Sequence, residues 1–451
     1  MSKGTFPEGA QLEAQISGRR RKGVYLRLAF LGSLMLAILA LLTLLANIIN
    51  SVFGLVAFEN AVAPAALVEE IGLDPARIAL SDLSKDDLLA VLEGGINNNV
   101  GRRLERERRF YSDRLVFETR AKWDEVCARE VDRPAGCDGR VRGREDVYSL
   151  VVEQIVQPKA LETWSLVDSV LHRAEIEAAA AVSYPDAEIV FRSWLSMDFV
   201  TNPQSPRAEV AGVRTAVLGS LWIVLVTIVF SFPVGVAAAV YLEEYARHTR
   251  LNRLIQTNIN NLAGVPSIIY GMLGLAIFVR VLETFTSGAV FGGVDGGVTA
   301  NGRTVLSAGL TLGLLILPII IINAQEAIRA VPQSLRSAGM ALGATQWQTI
   351  RAHVLPNAVP GILTGAILAV ARALGETAPL VVVGASTFIT ADPGGPFGKF
   401  TALPIQIFQW TSRPQDEFRN IAAAAIIVLL IMLLALNATA IVLRNRYARR
   451  A

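Results

Sequence analysis

The sequence predicts an all-α polytopic membrane protein with six transmembrane helices and a mostly helical soluble insert. Three observations predict it. Apolar residues make up 52% of the 451-residue chain, charged residues only 18%, and the mean hydropathy is +0.44. The apolar residues gather into blocks of the roughly 20 residues that a helix needs to cross a hydrocarbon core of about 30 Å. Lys and Arg cluster in alternate short loops, the asymmetry that orients spans in a membrane.

The blocks place spans at about 25–49, 213–241, 261–282, 304–324, 361–389 and 421–443. The first follows "GRRRKG", which looks like the basic start of a signal peptide. Its apolar run is longer than such a peptide's and lacks a clear small-x-small cleavage site, so it reads as a retained helix. Arg19, Arg20, Arg21, Lys22 and Arg27 precede or open it; Arg247, Arg250 and Arg253 follow the second span. Arg329, Arg336 and Arg351 follow the fourth, and Arg444, Arg446, Arg449 and Arg450 end the chain. The alternate loops hold only Arg303, and Lys399 with Arg413. Both termini are therefore predicted to be cytoplasmic.

Between the first two spans lies a soluble stretch predicted to face outward. The domains expected are 1–58 (cytoplasmic N-terminus and first span), 59–207 (insert) and 208–451 (membrane domain, with a cytoplasmic loop at 325–360). Residues 59–207 carry 19 Lys/Arg against 27 Asp/Glu, and the remainder 23 against 12. The insert is thus acidic and the rest basic, the usual signature of a membrane protein, and nucleic-acid binding need not be invoked. "LSDLSKDDLLAVLEGGI" reads as a helix with Ser81 or Ser84 as its cap, and "KALETWSLVDSVLHRAEIEAAAAV" as helical. "NNNVGRRLERERRFYSDRL" reads as a solvated face rather than a docking face. His172 stands alone and reads as structural. Both cysteines, Cys127 and Cys137, fall in this insert; in an oxidising compartment their spacing permits a disulfide, the alternative being two free buried thiols.

Several chemistries are excluded. "PGGPFGKF" at 393–400 resembles a phosphate-binding loop, but Pro393 stands where the first Gly belongs and Phe400 replaces the hydroxyl residue that would meet magnesium. The chain has three His and no His-Glu-x-x-His pair. It is read as neither a self-sufficient ATPase nor a zinc protease, with no cofactor or metal of its own. "GLTLG" (309–313) and "GILTG" (361–365) are Gly-x-x-x-Gly patterns that mark close helix packing, with no partner assigned.

The strongest cytoplasmic feature is "VPQSLRSAGMALGATQWQTIRAHVLPNAVPG", residues 331–361. Pro332 suits a helix's first turn, and Gly343 can break that helix with a positive φ. Thr345 followed by Gln348 fits a capping box, and Pro356 is expected to end the second short helix. The result is a helix–turn–helix knob shaped to sit in another protein's groove. This stretch resembles the EAA loop of ABC importer permeases, the matching positions being Ser337, Ala338, Gly339, Gly343, His353, Leu355 and Pro356. Ser337 stands where that motif has an acid, and His353 where it has Ile.

With "NLAGVPSIIYGMLGLAIFV" (261–279) and "RALGETAPL" (372–380), the loop makes residues 198–451 similar to phosphate ABC transporter permeases of the PstA type. The resemblance implies an ABC type I importer permease core in a bacterial inner membrane. It also implies a second homologous permease (PstC type), two ATPase subunits (PstB type) that bind the ATP, and a periplasmic phosphate-binding protein (PstS type). A permease for sulfate or molybdate, and less readily a membrane receptor, are the alternatives.

"ARALGETAPL" carries Arg372 and Glu376 between apolar flanks. A charge at bilayer depth costs about 2.5–3.5 kcal/mol even on a lenient scale, so such residues point to function. They are expected to share one helix face four residues apart and, with Thr377, to bind inorganic phosphate in the pathway.

Overall fold

The computed structural model describes residues 10–95, 144–291 and 301–448, apart from residues 76, 186, 248, 386, 387, 390 and 391. Among these, five helices are long and apolar enough to cross a membrane: Lys22–Val52 (span 1), Arg214–Tyr245 (span 2), Val305–Arg329 (span 4), Gln346–Gly375 (span 5) and Asp416–Arg446 (span 6). A bent pair, Arg250–Leu262 with Ser267–Val281, supplies span 3. Its halves meet at 106°, so the third apolar block is a broken helix rather than a straight one. The break is local chemistry: Gly264, Val265 and Pro266 fall at the corner, and Pro266 takes an extended conformation that starts the second half.

Span 4 is the centre of the bundle. Both Gly-x-x-x-Gly patterns are its seams. Gly309 lies against Val226 and Gly313 against Phe230, where span 2 crosses; Gly361 and Gly365 of span 5 lie against Ala327 and Asn323. A Cβ at any of these positions would come within 2.9 Å of the neighbouring helix, so only glycine permits these backbone separations. Thr227 Oγ1 donates across the first seam to the Gly309 carbonyl at 3.0 Å. Gly235 of span 2 closes on Ile320 in the same way, which leaves spans 2 and 4 packed along their length.

The described part of the insert is mostly helical, with one departure. It contains a three-stranded antiparallel sheet in the order β2-β1-β3, with β1 at Phe53–Asn60, β2 at Pro158–Thr163 and β3 at Glu188–Ser193. The "KALET" segment, helical by its sequence, is β2. β1 follows span 1 without a linker, the helix ending at Val52 and the strand starting at Phe53. Tertiary pairing overrides helical propensity here, because β1 hydrogen-bonds on both edges and the strands bury Leu55, Val56 and Ala57. The sheet is not a separate body. Val56, Ala160 and Trp194 share one apolar core with Trp410 and with Phe418 and Ile421 of span 6. Arg192 is half-buried in this joint, its guanidinium 4.7 Å from the Trp194 ring and 5.1 Å from that of Phe58, and it donates to the Glu209 carbonyl. Burial pulls the Arg192 pKa below its ordinary value, against the opposing pull of Glu209 and Asp198.

A second small core, Leu67, Leu83, Leu88, Leu92, Val147 and Val151, belongs to the insert alone. Within it Ser84 caps the helix Lys85–Gly95, accepting from the Asp87 amide at 3.2 Å. Cys127, Cys137 and the charged run at 97–115 lie outside the described residues.

Candidate functional site: a broken helix and a helical knob

Span 5 does not run on to 389 as its apolar sequence suggests. It ends at Gly375, Glu376 turns extended (φ −79°, ψ 119°), and a short helix resumes at Ala378–Val383. The reason lies in Pro379: its ring would strike the carbonyl of Gly375 in a continuous helix, and it has no N–H to give that carbonyl. With the break at 376–377, Pro379 falls in the first turn of the next helix, where a missing N–H costs nothing. Gly384, at φ +107°, then ends that helix.

Arg372 stands in the last turn of span 5 and Glu376 at its cap. Arg372 Nε donates to Glu376 Oε1 at 3.3 Å. The acid is sheltered and the base open: 19% of the Glu376 side chain and 46% of the Arg372 side chain are exposed. Arg372 makes no other hydrogen bond among the described residues. Thr377 is half-buried between the two helices, its carbonyl accepting from the Val381 amide.

Span 3 forms the opposite wall. Tyr270 Oη donates to the Leu262 carbonyl at 2.8 Å, which ties one half of the bent span to the other, and Tyr270 lies within electrostatic reach of Arg372. Gly271 sits directly on Pro379, where a Cβ would be 2.7 Å from the proline Cα. The fold thus brings "SIIYGM" against "GETAPL", two stretches more than a hundred residues apart. Toward the far end of the bundle, Gln256 of the bent span and Gln325 of span 4 exchange amide hydrogen bonds at 2.8 and 3.1 Å.

The knob is built from Gln333–Ala341, a turn, and the start of span 5. Pro332 caps the first helix. Gly343 has φ +83°; its amide donates to the Met340 carbonyl, and the Ala344 amide to that of Gly339, the double bond of a Schellman turn. Thr345 and Gln348 form the capping box reciprocally. Gly339 is buried against Thr349, so the two arms cross closely. Ser337, Ala338 and His353 are exposed, whereas Leu355 and Pro356 are half-buried.

Pro356 does not end the second helix. Residues Ile350–Val354 form a π-helical turn, and the chain runs through it into Leu355–Gly375. The wider turn bonds the Leu355 amide to the Ile350 carbonyl, and the ladder restarts with Pro356 in its first turn. The knob's second arm and span 5 are one helix.

A polar junction that sequence reasoning missed fastens the knob to span 2. Glu243 and Glu244 lie in the π-helical end of span 2, Tyr241–Tyr245. Glu243 pairs with Arg329 at 2.5 Å and Glu244 with Arg336 at 2.8 Å; a cavity of about 500 Å³ lies among them. The signal was "LEEY", two acids on the membrane side that carries the basic loops.

Residues 231–451 match the family of binding-protein-dependent transport system inner membrane components. The phosphate transport system permease protein PstA of Haemophilus influenzae is 32% identical over 244 residues, 54% of this chain and 79% of that protein. This chain belongs to the family. It is a PstA-type ABC transporter permease, a multi-pass inner-membrane protein. Phosphate transport system permease protein PstA 1 of Mycobacterium tuberculosis is 35% identical, the match covering 54% of this permease and 74% of that one. The probable ABC transporter permease protein YqgI of Bacillus subtilis is 35% identical, over 42% of this permease and 58% of YqgI. The permease therefore spans little more than half of YqgI. Among solved structures, the inward-facing MetNI methionine ABC transporter aligns with a TM-score of 0.38 at 20% identity, over 52% of this permease and 95% of that chain.

Proposed function

We propose that this permease is the transmembrane subunit of an ATP-driven importer of inorganic phosphate, and that it lines the pathway with a second, homologous permease. The observation that carries the reading is the Arg372–Glu376 pair at the broken end of span 5. Non-helical backbone and charge at membrane depth are tolerated where they line a wet cavity or are buried in protein. Arg372 offers a planar fork to phosphate oxygens, held from behind by Glu376. The Glu376 carboxylate also accepts a hydrogen bond from protonated phosphate, which fully ionised sulfate cannot donate. The names of the H. influenzae and M. tuberculosis relatives support phosphate as the substrate.

The knob is the coupling element in this reading. Basic loops support a cytoplasmic position for it and for both termini, with the insert in the periplasm, where a phosphate-binding protein delivers substrate. Its turn presents apolar side chains outward: Leu342 is 88% exposed and Trp347 52%, with Met340 beside them. An apolar tip of that kind suits a groove on one of the two ATPase subunits, which bind the ATP. Because the knob's second arm continues into span 5, displacement at the tip is carried toward Arg372 along one continuous helix. Uptake of labelled phosphate by cells with and without this chain tests the proposal, with sulfate as competitor. Uptake that sulfate abolishes and phosphate does not would assign another oxyanion.

A further inference from the structure

The knob is covalently continuous with spans 4 and 5 but not with span 2, which meets it through apolar packing of Ala239 and Val240 against Val331, Ile350 and Val354 and through polar side chains. Arg336, on the first arm, is buried to 12% exposure and Glu244 to 9%. Arg336 Nε and an Nη both reach Glu244 Oε1, at 3.0 and 2.8 Å, and Nε approaches Oε2 at 3.4 Å. The same guanidinium donates to the Val331 carbonyl at 2.6 Å and the Ile328 carbonyl at 2.8 Å, which close the end of span 4. Every nitrogen of the fork is engaged. Gln346, on the second arm, donates to the backbone carbonyl of Glu244. That carbonyl lies in the last turn of span 2, where helix carbonyls lack intrahelical donors. Glu244 is therefore gripped by both arms of the knob at once, by its carboxylate and by its backbone.

We propose that Glu244 and Arg336 are the positioning pair that makes the end of span 2 move with the knob. The proposal rests on the reading of the knob as the ATPase-coupling element. Spans 2 and 4 are already packed along the Gly309–Gly313 seam, so knob, span 4 and span 2 form one body when the pair is intact. With the pair broken, the knob still docks and the ATPase still turns over, but the end of span 2, beyond its Gly235 contact with span 4, follows the knob less closely. Ser337 stands next to Arg336 where the motif has an acid; in this chain span 2 supplies the acid at this junction. The neighbouring Glu243–Arg329 pair is a poor alternative carrier, because the Arg329 side chain is 68% exposed and an exposed ion pair holds little.

The test uses the complete transporter in proteoliposomes, and reads ATP hydrolysed per phosphate imported together with ATPase co-purification. E244Q and R336Q are expected to retain the ATPase subunits and raise the ATP-to-phosphate ratio about tenfold, a typical coupling between distant sites. R336K keeps the charge and loses the fork; it reads the pair even when R336Q does not insert, and should raise the ratio as well. E243Q and R329Q are expected to leave it within about twofold. Wild-type ratios in both E244Q and R336K overturn the proposal, as does loss of the ATPase from both. A wild-type transporter that imports no phosphate fails the substrate reading instead, so the two failures are told apart.

Discussion

Replacing Gly343 by Val isolates the cost of one backbone angle. Gly343 sits at φ +83° in the knob's turn, and a Cβ built there meets no heavy atom within 4 Å. Nothing clashes with the rest of the protein, so the penalty is confined to the turn. A left-handed conformation costs an ordinary L residue about 1–2 kcal/mol, and a β-branched one more. Taken alone, 1–2 kcal/mol lowers the population of the turn by roughly 5- to 30-fold. Both turn bonds, Gly343 to Met340 and Ala344 to Gly339, depend on that angle, and with them the display of Leu342 and Trp347. Membrane insertion should survive, because the turn lies outside the spans. Gly343→Val is expected to lose ATPase co-purification and phosphate uptake, Gly343→Ala to lose less, and Gly343→Asn least, since Asn tolerates this region. Wild-type uptake and co-purification by the Val variant would refute the reasoning.

Three further expectations concern other parts of the chain. Arg372→Lys and Glu376→Gln should insert normally and lose phosphate import or its selectivity over sulfate; normal, selective import by both places the site elsewhere. Gly271→Val forces a Cβ toward backbone, 2.7 Å from the Pro379 Cα, and should lower the Tm by an overpacking cost of about 1–3 kcal/mol; an unchanged Tm removes the tight contact between span 3 and the break. Mass spectrometry of unreduced peptides should find Cys127 linked to Cys137, and two free thiols at full occupancy count against the bond.

Much of this architecture is legible in local residue order. Hydrophobic block length places spans 1, 2, 4 and 6 to within a few residues, because a slab of about 30 Å sets one length scale for all of them, but it misplaces both ends of span 5 and the start of span 3. The Gly343 turn and the Thr345–Gln348 box are readable because caps are satisfied within four residues of chain. The same locality explains the errors. Pro356 signals a helix end only if the ladder is α; the π turn at Ile350–Val354 removes the conflict, and no short pattern announces it. β2 reads as helix because "KALET" has helical propensity and its partner, β1, lies about a hundred residues earlier.

Residue order alone is enough to make this a six-span membrane protein, to locate the turn of its knob and to pick out two charges in apolar surroundings. Each of these follows from composition or from contacts a few residues apart. Three-dimensional packing was needed to stop span 5 at Gly375 and to fold span 3 back with Gly271 against Pro379. It was needed also to give Arg336 to Glu244, 92 residues away. Those outcomes depend on which helix is packed next to which, and packing partners are chosen by shape and charge across the whole chain.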